Sequence, residues 1–330
     1  MLLGHLVIQV CAAFGMMLPG NTSLGSLALT ASVDHANIDR METTALPPRQ
    51  DAVLSPPAPI EFGVYDPAGA FKSATDLRIE HVFVAWEPFD TGKLRQKAKE
   101  AAERGRDLMV TVEPWPKASR MRRGGEAMLR EIAKSGYDSQ IDRVCSELAR
   151  SSGRTLLRWG HEMEAASDRY PWAHKDPASF VAAFRHVVQR CRKLSPGTLI
   201  VWSPRGDGDL RKYYPGPDYV DYVGVSVWGL QKWDRKHDGR DRAFREVFWE
   251  TYRNVVAYAK PVIISELGIS GDQGYVDRWL AEIMDRDTNG AKFPLLRTIV
   301  YFNDKEPHYW PKGFGSPDWR VDPTKLAGLP

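Results

Sequence analysis

Short apolar runs alternate with longer amphipathic segments from residue 60 onward. The runs are bounded by glycine, proline or polar residues, a pattern typical of buried strands in a parallel sheet. We predict eight strands, at residues 61–65, 81–86, 108–113, 155–160, 199–203, 222–227, 262–265 and 298–302.

Between these runs, apolar residues recur at helical spacing, most clearly over residues 93–104, 139–150, 177–194 and 275–284. Alternating strands and helices over about 270 residues match the size and order of a (β/α)8 TIM barrel. We therefore predict a single α/β domain with this fold over residues 60–330. An open doubly wound sheet is the alternative, but no glycine-rich phosphate loop follows the first strand.

The chain before residue 60 has a different pattern. Residues 1–30 carry an apolar stretch that is too short and too interrupted for a good membrane span, and we predict a secretory signal peptide there. Residues 31–59 contain several prolines and little periodicity, which predicts a linker. We expect a secreted or periplasmic protein with no integral membrane span after processing.

Composition narrows the possible partners. The formal net charge of +3 is small and no Lys/Arg run exceeds two residues, so no nucleic-acid partner is expected. The eight histidines show no metal-ligand spacing, and we expect neither a metal nor another cofactor. A monomer is expected. The 11 tryptophans are unusual, and their flat rings could stack on sugars or simply fill the core.

Two cysteines follow the predicted signal peptide. Cys145 and Cys191 fall in helical patterns on either side of the fourth predicted strand. A disulfide between them is possible in an oxidising compartment, but two separate buried thiols are the favoured interpretation.

Polar and aromatic residues collect where the predicted strands end. Active sites of TIM barrels lie at the C-terminal ends of the strands, so these side chains should line a cleft. The residues are Trp86, Glu87, Glu113, Pro114, Trp115, His161, Glu162, Trp202, Ser203, Trp228, Ser265 and Glu266.

Two of these carboxylates could act as a pair. Glu162 follows the fourth predicted strand and Glu266 the seventh, and these strands face each other across an eight-stranded barrel. Retaining glycoside hydrolysis needs such a pair, about 5–5.5 Å apart, with one carboxyl protonated and the other ionised. Arg158 and His161 could keep the nucleophilic carboxylate ionised and oriented.

Several strings in this region, in this order, resemble glycoside hydrolase family 26. This family comprises retaining (β/α)8 enzymes and includes β-mannanases, lichenases and β-1,3-xylanases. The strings are Gly136-Tyr137-Asp138, Arg158-Trp159-Gly160-His161-Glu162-Met163, Tyr170-Pro171-Trp172, Val201-Trp202-Ser203-Pro204, Tyr213-Tyr214-Pro215-Gly216, Tyr219-Val220-Asp221-Tyr222-Val223-Gly224, Ser265-Glu266-Leu267-Gly268 and Tyr301-Phe302-Asn303-Asp304.

The resemblance implies that Glu162 is the acid/base and Glu266 the nucleophile. Arg158, His161 and Trp228 are the predicted supporting residues. The residues predicted to bind substrate are Trp86, Glu113, Trp115, Trp172, Trp202 and Trp319.

Three residues depart from the family pattern near the scissile bond. Glu164 stands where the family often has Asn, and Ser226 and Trp228 stand where it usually has Asp and Tyr. The predicted function is an endo-acting retaining hydrolase of a β-linked polysaccharide, with β-mannan, mixed-linkage β-glucan or a bacterial exopolysaccharide as substrate. The alternative is a non-catalytic glycan-binding protein on the same barrel.

Overall fold

The computed structural model describes residues 59–87, 89–117, 125–166, 169–306, 310 and 313–326. The predicted signal peptide and all but the last residue of the predicted linker lie outside the described residues.

Eight parallel strands close into a barrel in sequence order, with the first strand paired to the last. This confirms the predicted (β/α)8 fold. The strands are β1 (Glu61–Tyr65), β2 (Ile79–Ala85), β3 (Asp107–Glu113), β4 (Thr155–Trp159), β5 (Leu199–Trp202), β6 (Tyr222–Leu230), β7 (Val262–Ser270) and β8 (Leu296–Phe302).

Helices surround the barrel and bury their apolar faces against it. They are α1 (Thr91–Glu103), α2 (Gly125–Ala133), α3 (Asp138–Leu148), α4 (Pro177–Leu194), α5 (Gln231–His237), α6 (Phe244–Val255), α7 (Gln273–Met284), α8 (Arg286–Lys292) and α9 (Pro323–Leu326). The helix after β4 has the predicted bounds, because Asp176 caps it and Pro177 occupies its first turn. Between β5 and β6 the described chain forms only two 3₁₀ turns, Leu210–Tyr213 and Pro217–Tyr219.

Two strands continue beyond their predicted C-terminal ends. β6 continues to Leu230 and β7 to Ser270, so Trp228 and Glu266 lie inside strands and do not end them. An unpaired charge inside a buried strand is costly. The strand continues because Glu266 has a buried cationic partner, described below.

The barrel interior changes from apolar to polar along the strands. Its lower layer consists of Ile79, Met109, Leu156, Val201, Ile263 and Val300. Side chains on one face of a strand recur every second residue. Two positions further along, five of these six strands carry a buried polar residue, namely His81, Thr111, Arg158, Ser203 and Ser265, whereas Phe302 follows Val300.

Cys145 and Cys191 form a disulfide that links α3 to α4 behind β4. Our preference for two separate thiols was therefore wrong. Helical spacing showed that both cysteines face inward, but it could not show that the two helices pack side by side with these positions 5.3 Å apart at Cα.

Candidate active site

Arg158 lies at the centre of the polar layer. Its Nη1 is 2.6 Å from Oε1 of Glu266, and neither side chain is exposed. Nε donates to Oγ of Ser203 at 2.9 Å, and Nη1 donates to Oγ1 of Thr111 at 3.2 Å. Arg158 and Glu266 therefore form a buried ion pair, and the supporting role of Arg158 stays a prediction. Thr111 and Ser203 fix the guanidinium from the neighbouring strands.

A β-bulge in β7 directs Glu266 into the barrel. In the pairing of β6 with β7, Val225 lies opposite Ile264 but Ser226 lies opposite Glu266, so Ser265 is the extra residue. A Cβ built on Gly224 would lie 2.5 Å from Oγ of Ser265, which places that hydroxyl in the interior. Ser265 and Glu266 therefore both face inward, which regular alternation forbids and a bulge permits.

Glu162 enters the site from a sharp turn after β4. Gly160 and Glu162 both have left-handed backbone conformations, with φ of 57° and 53°. For a non-glycine residue this costs about 1–2 kcal/mol, so other contacts must hold it. The Glu162 backbone N–H donates to the Ser203 carbonyl at 2.8 Å, and the Ser226 hydroxyl donates to Oε1 of Glu162 at 3.2 Å.

The two carboxyl groups have different electrostatic surroundings. Burial, and to a smaller extent the nearby Glu266, raise the pKa of Glu162 to about 8 against the opposing effect of Arg205 and Arg158. Glu162 is therefore protonated at neutral pH. Glu266 instead faces the permanently charged guanidinium of Arg158. Glu162 is thus suited to donate a proton and is close enough to Glu266 for their charges to interact, while Glu266 is paired with a cation.

Glu113 is a third buried carboxyl at this end of the barrel. Burial raises its pKa to about 8, partly offset by the hydrogen bond that Nε1 of Trp115 donates to its Oε2 at 3.1 Å. Among the described residues its Oε1 has no hydrogen-bond partner. A neutral Glu113 could donate its carboxyl proton to a bound hydroxyl, and Trp115 beside it is half-buried.

His161 does not support Glu266 as predicted. Its Nε2 lies 3.2 Å from the Tyr170 hydroxyl, and Nε1 of Trp172 donates to the His161 carbonyl at 2.7 Å. Burial, together with the charge of Arg158, lowers the pKa of His161 well below its usual range. The imidazole is therefore neutral, and it positions the turn that carries Glu162.

Trp228 was also predicted to support the carboxylates through its indole N–H. Within the part of the chain that the structure describes, its Nε1 has no hydrogen-bond partner. The ring packs against Trp319 and Phe302, with centroids 4.8 and 5.7 Å away. The predicted hydrogen bond is therefore not formed, and Trp228 contributes a wall of the site.

The other predicted stacking residues are mostly core. Trp86 and Trp202 are 1% and 0% exposed and lie in the main hydrophobic cluster, so neither offers a ring face to a sugar. Trp172 and Trp319 are equally buried beside the site. Of the six residues predicted to bind substrate, Glu113 and Trp115 are therefore the two that have groups at the site that a ligand could contact.

Sequence reasoning did not name Thr111, and it named Ser203 only as one of the side chains at the strand ends. Their position facing Arg158 was detectable, because each is the polar residue two positions after an inward-facing apolar residue, Met109 or Val201. Ser226 was noted only as a departure from a family pattern. Its contact with Glu162 depends on the strand register and the turn after β4, which no local pattern shows.

The described residues contain neither a cluster typical of a metal site nor a helix typical of a membrane span. No group of three or more His, Cys, Asp or Glu side chains there could hold a metal ion. No helix in the same residues combines the length and apolar character that a membrane crossing requires.

Similarity to known proteins is consistent with this geometry. No protein-family model matches the chain. Two curated relatives, β-1,3-xylanases from Alcaligenes sp. and Vibrio sp., are each 29% identical over 147 residues. The match covers 42% of this chain and spans only 28% of the length of either relative.

Solved structures share the fold. GH26C from a Muricauda species superposes with a TM-score of 0.58 at 12% identity, covering 83% of this chain and 85% of that chain. An endoglucanase from Pseudomonas stutzeri, solved with cellobiose, gives a TM-score of 0.52 at 11% identity, covering 83% and 95%. At these identities the structural likeness shows the (β/α)8 fold alone.

Proposed function

We propose that this chain is a retaining glycoside hydrolase that cleaves within a β-linked polysaccharide. The observation that carries the proposal is a pair of buried carboxyl groups with different electrostatic surroundings, near the C-terminal ends of the barrel strands. Glu162, with a pKa of about 8, is protonated at neutral pH, whereas Glu266 is paired with Arg158 at 2.6 Å. A retaining glycosidase requires this division between a proton donor and a nucleophile.

Each residue then has a defined role in double displacement. Glu162 gives its proton to the leaving oxygen while Glu266 attacks the anomeric carbon and forms a glycosyl–enzyme ester. The resulting Glu162 carboxylate then removes a proton from water, which hydrolyses the ester and regenerates both groups. Arg158 orients the attacking oxygen, and Ser226 orients the Glu162 carboxyl.

Four polysaccharides are candidate substrates. The similarity to two β-1,3-xylanases adds β-1,3-xylan to β-mannan, mixed-linkage β-glucan and a bacterial exopolysaccharide. The departures at Glu164, Ser226 and Trp228 favour a substrate other than mannan. The Cys145–Cys191 disulfide supports export to a periplasmic or extracellular compartment, because such bonds persist in oxidising surroundings.

The test is hydrolysis of these polymers by wild type, Glu162→Gln and Glu266→Gln. We expect wild type to release oligosaccharides from one polymer and to retain the anomeric configuration, as followed by proton NMR at early times. Glu266→Gln should lose at least about 10⁴-fold in kcat/KM, because a neutral amide cannot form the ester. Binding of glycan without hydrolysis by wild type would favour the non-catalytic alternative, and inverted product would exclude double displacement.

A further inference from the structure

A cavity of about 430 Å³ adjoins the site on the side of β5 and β6. Its inner end is lined by Ser226 and Trp228, and its outer wall by Gly206, Thr251 and Asn254. Only two 3₁₀ turns occupy the place between β5 and β6 where a barrel helix would normally stand. The volume is in the range of pockets that hold small ligands.

The cavity reaches a hydrogen-bond partner of the proposed acid. Ser226, which lines it, donates to Oε1 of Glu162. In glycoside hydrolysis the acid protonates the oxygen of the departing sugar, so the leaving group lies on the side of that carboxyl. A cavity that starts at the Glu162 hydrogen-bond partner is therefore placed to receive it.

The lining suits a neutral, hydroxylated ring. Trp233 is half-buried in the cavity wall and stacks on His237 at a centroid distance of 3.6 Å, which gives a flat surface. Arg205 is paired with Asp207, and Arg242 with Asp238 and Glu250, while the wall also carries Arg253. The three arginines of the lining are matched by three acidic residues, Asp207, Asp238 and Glu250, so little net charge is left to attract an anionic group.

Glu164 holds the outer wall in place. Its Oε1 accepts from the Gly206 backbone N–H at 2.8 Å, and the Gly206 carbonyl accepts from Nδ2 of Asn254 at 2.9 Å. Gly206 has φ of 105°, and a Cβ there would lie 2.3 Å from Cγ2 of Thr251. The turn bearing Glu162 is thus linked through Gly206 to α6.

We propose that this cavity is a subsite for a neutral sugar residue of the departing chain, with its wall set by Glu164 through Gly206. The assignment of the cavity to the departing chain rests on the proposed function. Sugar binding in the cavity can nevertheless be measured without catalysis.

Trp233→Ala tests the cavity kinetically. The probes are the tetrasaccharide of the polymer that wild type cleaves and the 4-nitrophenyl glycoside of its disaccharide, whose leaving group is not a sugar. We expect kcat/KM to fall about tenfold more for the tetrasaccharide than for the aryl glycoside, the size typical of truncating one aromatic contact. Trp249→Ala is the matched control, because Trp249 lies on α6, is 45% exposed and does not line the cavity. Equal losses on both probes, or a loss shared by Trp249→Ala, would overturn the proposal.

Glu164→Ala and Glu164→Gln test the wall. Gln keeps a carbonyl that can accept from Gly206, whereas Ala does not. We expect Ala to reproduce the selective tetrasaccharide loss and Gln to restore the wild-type ratio between the two probes. Identical ratios for Ala and Gln would show that Glu164 does not set the wall.

Calorimetric titration separates this inference from the proposed function. Tetrasaccharides of β-mannan, mixed-linkage β-glucan and β-1,3-xylan are titrated, each in turn, into Glu162→Gln and into Glu162→Gln combined with Trp233→Ala. A Kd weakened about tenfold in the double variant supports the cavity even if wild type proves not to hydrolyse glycans. Equal Kd values overturn the cavity even if wild type is an active hydrolase.

Discussion

At the scale of single residues, three glutamates share one buried guanidinium. Glu113, Glu162 and Glu266 all lie in the field of Arg158, and none is more than 3% exposed. Three buried negative charges around one cation would be very costly, so protons must supply part of the balance. The protonation states of these residues are therefore set by the fold as a group.

The rate should report the proton on Glu162. Because the proposed acid must be protonated and its pKa is about 8, we expect kcat/KM to fall about tenfold per pH unit above pH 8. Arg205 opposes the raised pKa, so Arg205→Gln should move this alkaline limb to higher pH. The other charged groups acting on Glu162 are Glu266, Arg158 and Glu164. The measurement is the pH dependence of kcat/KM for both proteins. An alkaline limb that stays in place or moves to lower pH in the variant would contradict the assignment of Glu162 as the acid.

Glu113→Gln should change how stability depends on pH. The folded protein holds a proton on Glu113 up to a pKa of about 8, whereas an unperturbed glutamate releases it near 4.5. Between these values the folded state binds more protons, so wild-type stability decreases as pH rises, by up to about 1.4 kcal/mol per unit from this group. Gln removes that contribution and can still accept from Trp115. In urea unfolding, the free energy of unfolding of the variant relative to wild type should be higher at pH 8 than at pH 5. The same difference between the two proteins at both pH values would refute the prediction.

Arg158→Met should be strongly destabilising. The substitution leaves Glu266 buried without its cationic partner, and breaking a buried pair in this way costs about 3–5 kcal/mol. The double variant Arg158→Met, Glu266→Gln should recover part of that loss, because the uncompensated charge is gone. The measurement is the denaturant midpoint of each variant. Equal midpoints for the single and the double variant would contradict the prediction.

At the scale of elements, alternation along each strand accounts for what could be predicted. The period of two places Leu156 and Arg158 on one face of β4, so a polar layer above an apolar layer follows from the sequence. The bulge at Ser265 could not be predicted, because it depends on the register between β6 and β7. The same limit applies to Trp228: its place inside a longer β6 became clear only once the neighbouring strands were paired.

The link between α3 and α4 should contribute substantially to stability. The two cysteines are 46 residues apart, and closing a loop of that length is worth about 4 kcal/mol in the chain-entropy description. We expect the double variant Cys145→Ser, Cys191→Ser to lose up to that amount in urea unfolding. Dithiothreitol should destabilise wild type and leave the double variant unchanged. A reductant effect of the same size in both proteins would contradict a structural role for this bond.

At the scale of the whole molecule, the barrel is complete within the described residues. Its first strand begins at Glu61, and its eight strands close without residues 1–58. Deleting residues 1–58 should therefore leave the thermal midpoint and the glycan-cleaving activity unchanged. Deleting residues 1–65 is the matched comparison, because it removes β1 and leaves β2 and β8 without their shared neighbour. Loss of folding in the shorter deletion would show that the folded unit starts earlier.

Closure of the barrel by its first and last strands also has a kinetic consequence. The side chains of Asn303 and Asp66 are hydrogen-bonded across a separation of 237 residues. Contacts this distant in sequence form slowly, because the chain must lose much of its freedom before they stabilise it. During synthesis β1 therefore has one edge without its partner β8, and the unpaired backbone groups of that edge can hydrogen-bond to other chains. A nascent chain of this fold would gain from an early partner for that edge, such as a chaperone, until β8 arrives.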